Sequence, residues 1–305
     1  MMRKNRPDSE RSTLQREAEL PDSFSSHVNV DVFAMSDPGH VRVNNEDHFL
    51  VVRGGRSLQT VFSNLNQNQQ LDLFEETAYG FIVADGVGGE AAGEVASREA
   101  IFGLLNLALK TPDWQFRWGP KERNTVMWRM QDRFRRVNAA LVQLATAHAA
   151  LNGMCTTMTA ALSHGRDLIV GHIGDSRAYL LRRGILRQLT RDHTLAERLL
   201  DDGVQLESDY LLVELRSVLI QALGASEGDC RPDIHDYVLD DGDQLLLCTD
   251  GLTEMVSDTD IASVLTREDS AQASCRKLVQ AALNNGGNDN ITVIVARYLL
   301  PQFGA

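Results

Sequence analysis

The chain has 305 residues, 43% hydrophobic and 24% charged, and its 30 basic against 42 acidic side chains leave a net charge of −12 at pH 7. That composition belongs to an ordinary globular protein, long enough to bury a core of its own without external staples. The acidic balance excludes nucleic acid as the main partner, because phosphate backbones are bound by clustered Lys and Arg with release of counterions.

Residues 1–27 carry five basic and five acidic side chains with few large apolar groups, which predicts a disordered N-terminal tail and leaves the whole charge on residues 28–305. The opening Met-Met-Arg-Lys-Asn-Arg runs into polar residues and lacks the apolar stretch of a signal peptide. Apolar runs such as Ile101–Leu109 fall short of the ~18 residues that span a bilayer, so no membrane association is expected. Cys155, Cys230, Cys248 and Cys275 show no C-x-x-C spacing, which speaks against a zinc ribbon or redox pair and fits a reducing cytoplasm.

From residue 28 onward Val28, Val30, Val32 and Ala34 alternate with polar residues, as in a half-buried strand. Strand-length apolar runs follow at Phe49–Val52, Tyr79–Ala84, Thr157–Leu162, Leu168–Ile173, Ala178–Leu181, Gln244–Cys248 and Ile291–Val295, with a hairpin turn at Arg182-Arg183-Gly184. Helical spacing marks three segments. Residues 92–109 set Val95, Ile101, Leu104, Leu105 and Ala108 on one face, and residues 122–150 repeat Met127, Met130, Phe134, Val137, Leu141 and Leu144 at steps of three and four. Ser270 caps a third helix through Cys275, Leu278, Val279 and Ala282 that stops at Asn284-Asn285-Gly286-Gly287. Grouped strands with helices between the groups predict an α+β layered domain. Residues 111–136 hold Trp114, Trp118 and Trp128 with seven basic and three acidic side chains. They read first as aromatics packing on the domain, and second as a docking surface for an acidic or phosphorylated partner.

Three apolar strands each deliver an Asp beside a Gly at Asp85-Gly86, Gly174-Asp175 and Asp250-Gly251, while Asn288-Asp289-Asn290 precedes a fourth and Glu46-Asp47 stands ahead of Phe49. One Asp-Gly alone is a turn, but so many carboxylates brought to strand ends repel one another unless cations sit among them. With oxygen donors only, hard Mg or Mn is favoured over zinc, and two such ions sharing a carboxylate suit attack of water on a phosphoryl group. Other readings are weaker. Gly86-Val87-Gly88-Gly89 lacks the third glycine of a dinucleotide loop, Ala91 standing there, and Asp85 would repel a pyrophosphate. Gly286-Gly287-Asn288-Asp289 resembles a calcium-binding nonapeptide but occurs once, where stacked copies are needed. Asp240-Asp241-Gly242-Asp243 lacks the Glu and flanking helices of an EF-hand and reads as a solvated turn. His172 and His193 read as structural, and Cys248 as a small hydrophobe.

Arg42-Val-Asn-Asn-Glu46-Asp47, Val83-Ala-Asp85-Gly86-Val-Gly88-Gly89, Thr156-Thr157, Gly174-Asp175-Ser176-Arg177-Ala-Tyr179, Leu189-Thr190-Arg-Asp192-His193, Thr249-Asp250-Gly251-Leu252 and Gly287-Asn-Asp289-Asn290-Ile-Thr292 stand in this order. Over residues 28–298 the chain thereby resembles the metal-dependent serine/threonine protein phosphatases of type 2C, in their bacterial form. The resemblance implies a four-layer α-β-β-α sandwich, two antiparallel sheets flanked by helices, with a binuclear Mg or Mn centre at one edge. It implies that Asp85 bridges both ions, that the Gly86 carbonyl binds one, and that Asp250 and Asp289 hold the other. Glu46 and Asp47 would contribute directly or through water, and Asp175 with Asp250 would form a third, weaker site. Arg42 matches the phosphate-binding arginine, whose planar fork can hold two phosphoryl oxygens. Val87 stands where eukaryotic members place a histidine that protonates the leaving group, so that proton must come from elsewhere. Cys155 replaces a glycine before the Thr-Thr pair, and Leu219-Ile220-Gln221-Ala222-Leu223-Gly224 departs from the usual pattern beside the flap, roughly residues 194–220.

The implied activity is hydrolysis of phosphoserine and phosphothreonine on proteins by metal-activated water, without a phosphoenzyme. The expected setting is a cytoplasmic, monomeric signalling enzyme that acts on phosphoprotein substrates of a cognate Ser/Thr kinase. A phosphatase dedicated to an anti-sigma-type partner and a phosphoprotein-binding pseudo-phosphatase are the alternatives, and the complete set of acids argues against the second.

Overall fold

The computed structural model describes residues 28–64, 73–88, 92–110, 120–204, 214–226 and 230–300. The expected N-terminal tail, Gly89, Trp114, Trp118 and the middle of the flap lie outside the described residues. One five-stranded sheet runs in the order β1 (Asn29–Asp37), β12 (Ile291–Leu299), β11 (Gln244–Cys248), β8 (Arg177–Arg182), β9 (Ile185–Gln188). The other runs β10 (Asp233–Val238), β7 (Asp167–Ile173), β6 (Met158–His164), β3 (Leu73–Ala84), β2 (His48–Gln59). A short ribbon pairs β4 (Gly86–Val87) with β5 (Cys155–Thr156), and every pairing is antiparallel.

The strands read as unbroken apolar runs because both of their faces are covered. In β3, Phe81 and Val83 point between the sheets while Ile82 and Ala84 face α1 (Ala92–Leu109) and α2 (Pro120–Ala147). In β11, Leu245 and Leu247 point between the sheets while Leu246 and Cys248 face α5 (Asp258–Arg267) and α6 (Ala271–Asn284). Period-two alternation thus produces three stacked apolar layers and the four-layer α-β-β-α order. Two shorter helices, α3 (Leu195–Asp201) and α4 (Asp250–Thr253), lie at the strand ends. None of the helices among the described residues is long and apolar enough to cross a membrane.

Helix α1 buries Ala92, Ala96, Ala100 and Leu104 with Gly93, Ser97 and Ile101, and leaves Val95, Leu105 and Ala108 only partly covered. Ile101 and Leu104 are buried as their spacing predicts, but small residues make up the rest of the seam and allow the helix to approach the sheet closely. Helix α2 keeps the expected stripe of Met130, Phe134, Val137 and Leu141, while Trp128 is exposed on it. The cap on α6 is as expected, with the Ser270 hydroxyl accepting from the Ala273 amide at 3.2 Å. The hairpin between β8 and β9 turns through Arg183 and Gly184, both at positive φ, as its twist requires.

One expectation fails within the turn before β11. Asp243 is buried, not solvated: its carboxylate accepts from Arg182 Nε at 2.9 Å and Nη2 at 2.6 Å, and from the Asp240 amide at 2.7 Å. A buried carboxylate persists only when paired and hydrogen-bonded in this way.

Register sets the loops that matter at one end of the sandwich. Asp37 opposes Ile291 and Cys248 opposes Val293 in one sheet, while His48 opposes Ala84 and Met158 opposes Ile173 in the other. Loops 38–47, 85–88, 174–176, 249–250 and 285–290 therefore emerge together. Phe134 has no exposed surface and sits in the layer beneath α1 and α2. Phe134→Ala should cost about 3–5 kcal/mol of unfolding free energy in a urea titration.

Candidate active site

Arg42, Glu46, Asp85, Gly86, Asp175, Asp250 and Asp289 line one cavity of about 1120 Å³. Asp47 lies behind its wall, with Oδ2 accepting from the Thr249 hydroxyl at 2.8 Å and Oδ1 buried without a hydrogen-bond partner. Asp250 likewise has a buried, unpartnered Oδ1. Arg42 is the nearest countercharge, its Nη2 donating to Asp289 Oδ2 at 2.6 Å.

The acids suppress one another's ionisation. Burial first, then the charges of Asp250, Asp47 and Asp175, pushes Asp85 well above the usual carboxylate range. Burial raises Asp47 to about 7, against hydrogen bonds from Thr292 and Thr249 that favour its charged form. Asp250 and Asp175 are raised for the same leading reason, with Asp289 adding to the first and Asp250 to the second. Among the described residues no three carboxylates gather closely enough about one point to form a finished metal shell. The donor set nonetheless suits hard divalent cations: it is all oxygen, buried, and carries unpartnered lone pairs at Asp47 and Asp250.

Backbone hydrogen bonds, more than side-chain packing, hold these acids in place. Thr157 donates its amide to the Asp85 carbonyl at 2.9 Å, and the Thr157 hydroxyl accepts from the Asp85 amide at 3.0 Å. The same hydroxyl meets Ser176 Oγ at 2.7 Å, so one side chain braces both Asp85 and the residue after Asp175. At Gly86 a Cβ would collide with the Gly93 and Glu46 carbonyls, which leaves glycine as the residue that lets β4 lie against α1. The Glu46 carbonyl accepts from Ser97 Oγ at 2.6 Å and from the Gly86 amide at 3.2 Å.

Two residues had no functional role from sequence. Asn290, named only within a motif, ties down the loop that carries Arg42 and Glu46: its Oδ1 accepts from the Glu46 amide at 2.8 Å, and its Nδ2 donates to the carbonyls of Asn44 at 2.9 Å and Pro38 at 3.0 Å. Glu254 lines the cavity one turn after Asp250, its carboxyl raised by burial and then by Asp250 and Asp289. The expected structural reading of His193 fits its contacts. Its amide donates to the Gly174 carbonyl at 2.7 Å, its Nδ1 accepts from the Gly174 amide at 3.2 Å, and its Nε2 faces Asp233 Oδ2 at 3.2 Å. Accepting at Nδ1 places the proton on Nε2, toward Asp233. His172 is buried against it at 4.9 Å between ring centroids, and burial lowers its pKa to about 3.

The family model described as protein phosphatase 2C matches residues 66–290. The chain belongs to the protein phosphatase 2C family. The serine/threonine phosphatase Stp of Listeria welshimeri is 35% identical over 274 residues, covering 88% of this chain and 96% of that one. The crystal structure of the serine/threonine phosphatase PstP/Ppp of Mycobacterium tuberculosis superposes with a TM-score of 0.70 at 33% identity, covering 89% of this chain and 99% of that one. A structure of the PstP catalytic domain in complex with two manganese ions superposes with a TM-score of 0.68 at 32% identity, over the same shares. The present chain is a serine/threonine protein phosphatase of type 2C, with the two-sheet sandwich of its relatives.

Asn290→Ala strips this phosphatase of the amide that serves three loop partners. It should lower stability by about 1–3 kcal/mol and kcat/KM by about tenfold or more, read by thermal melting and p-nitrophenyl phosphate turnover. Unchanged turnover would show that the loop holds its place without Asn290.

Proposed function

We propose that Asp85, Asp250, Asp289, Glu46, Asp47 and the Gly86 carbonyl hold two divalent cations in this cavity, and that Arg42 holds the phosphoryl group of a phosphoserine or phosphothreonine side chain. The observation that carries this reading is the set of carboxylates on one cavity wall, with buried unpartnered oxygens at Asp47 and Asp250 and Arg42 as the nearest cation. Divalent metal dependence comes with the family; manganese is supported by the PstP relative, and magnesium is equally suited to an all-oxygen donor set. Asp175, on the same cavity beside Asp250, would supply a third and weaker site. When bound, the cations supply Lewis-acid activation of water and neutralise charge on the phosphoryl oxygens.

The chain's own residues do the rest. Arg42 swings from Asp289 to the phosphoryl oxygens, where its fork orients the ester and stabilises the charge of the transition state. Burial and neighbouring charge disfavour the ionised forms of Asp85 and Asp47, so binding of cations there would be coupled to loss of their protons. Val87 has no proton to give the leaving oxygen. Water adds to phosphorus, the P–O bond to the side chain breaks, and the proton lost by the attacking water balances the one gained by the leaving oxygen, giving inorganic phosphate and the free hydroxyl.

Residues 28–305 form the catalytic domain in this reading. The working unit in this reading is a monomer. The four cysteines are free, which suits a reducing cytoplasm. Substrates would be phosphoproteins made by a cognate Ser/Thr kinase.

Chelation should abolish turnover of p-nitrophenyl phosphate and of phosphopeptides, with recovery on adding manganese or magnesium. Asp85→Asn and Asp250→Asn should each reduce kcat by at least about a hundredfold with an unchanged circular dichroism spectrum. Full activity in the chelated protein would overturn the assignment.

Stability should depend on pH in a definite sense. Asp47, Asp85 and Asp250 all have folded pKa values above the ordinary 3.8. Folding therefore retains their protons, and the metal-free protein loses stability as pH rises from about 4 through about 7. Manganese should raise the melting temperature more at about pH 8 than at about pH 5, by at least about 3 °C. An equal shift at both pH values would contradict this account.

A further inference from the structure

Acids make up only part of the cavity lining; Val43, Val87, Leu219, Ile220 and Ala222 line it too. Three of these stand out in solvent, Val43 at 95% exposure and Val87 and Ile220 at 40%. Two more exposed aliphatics flank them in sequence, Val41 and Val218. None of the five belongs to the three apolar layers that hold the fold together.

A single exposed valine is commonplace, but Val43, Val87 and Ile220 come from three separate segments that line one cavity, and each is tied to the catalytic residues. Val41 and Val43 bracket Arg42. Val87 follows Gly86 in β4. The Ile220 amide donates to the His193 carbonyl at 2.9 Å, fixing the return of the flap against the segment that clamps Gly174.

Whatever covers these side chains must also place a phosphoryl group beside Arg42, which makes the substrate the occupant. An extended peptide advances about 3.3 Å per residue, so side chains next to the phosphorylated residue fall within reach of groups lining the same cavity. Glu254, a lining carboxylate with no metal role in the assignment above, disfavours acidic neighbours.

We propose that Val43, Val87 and Ile220 form an aliphatic rim that receives an apolar side chain adjacent to the phosphorylated residue, so that the enzyme prefers phosphosites with apolar flanks. The inference rests on the site assignment above and adds a substrate class to it.

The test uses the full chain with manganese and a set of phosphothreonine peptides that differ only in the two flanking residues, which are Leu, Ser, Lys or Asp. The Leu-flanked peptide should exceed the Ser-flanked one by about tenfold in kcat/KM, mostly through KM, with the Asp-flanked peptide slowest. Val43→Ser and Ile220→Ser should each move the Leu-to-Ser ratio toward one; Val43 is so exposed that its replacement does not threaten the fold. Equal rates for Leu and Ser flanks, a preference for Lys, or a ratio unmoved in both variants would overturn the proposal. Turnover of p-nitrophenyl phosphate by the wild type separates the two levels. If it is present without flank selectivity, the rim fails alone; if it is absent with metal supplied, the site assignment fails and the rim with it.

Discussion

Mutual repulsion among carboxylates is the constraint around which this molecule is arranged. Six acids from distant parts of the sequence reach one cavity, and a seventh, Asp47, is buried behind it. Burial and like charge both disfavour ionisation there. The arrangement is tolerable to the folded chain only as protons or cations neutralise it, so the property that destabilises the metal-free protein is also the source of its affinity for metal.

A scaffold that must hold repelling groups cannot rely on those groups to hold one another. The sandwich supplies the support through the backbone. Thr157 fixes Asp85 and Ser176, Asn290 fixes the loop of Arg42 and Glu46, and His193 clamps Gly174 from both sides. Each support is polar, and Thr157, Asn290 and His193 are all buried. Each holds its acid-bearing loop through main-chain atoms of that loop, which leaves the acid side chains free to turn toward a ligand. Rigid positions with free side chains are what a metal centre needs from its protein.

Much of this was legible in the sequence because the acids follow strands covered on both faces, whose apolar runs stand out. Gln244–Cys248 ends where the run ends, and Asp250 comes two residues later. Strand β10, by contrast, reads Asp-Ile-His-Asp-Tyr-Val at a half-exposed sheet edge, so its polar residues hid it. Strand β9 is too short to show a period. In α1 the buried seam is built from alanines, which carry little hydrophobic signal beside Leu105 and Val95. The supports were less legible than the acids. Asn290 works through carbonyls and an amide some 250 residues away, and Asp243 is buried by an arginine 61 positions earlier. No local pattern encodes such a partner.

The pairing of β1 with β12 joins Asn29 to Leu299, so the first strand of the domain finds its neighbour only in the last. Loop closure over nearly the whole chain is slow and entropically costly. On a ribosome, β1 must wait unpaired until the final segment emerges, and Asp289 arrives with that segment. Asn290 also arrives then, and without it the loop of Arg42 and Glu46 lacks three of its hydrogen bonds. A nascent chain that has not reached this segment lacks both an interior strand of one sheet and a working centre. Catalytic competence becomes a report that synthesis of the domain has finished.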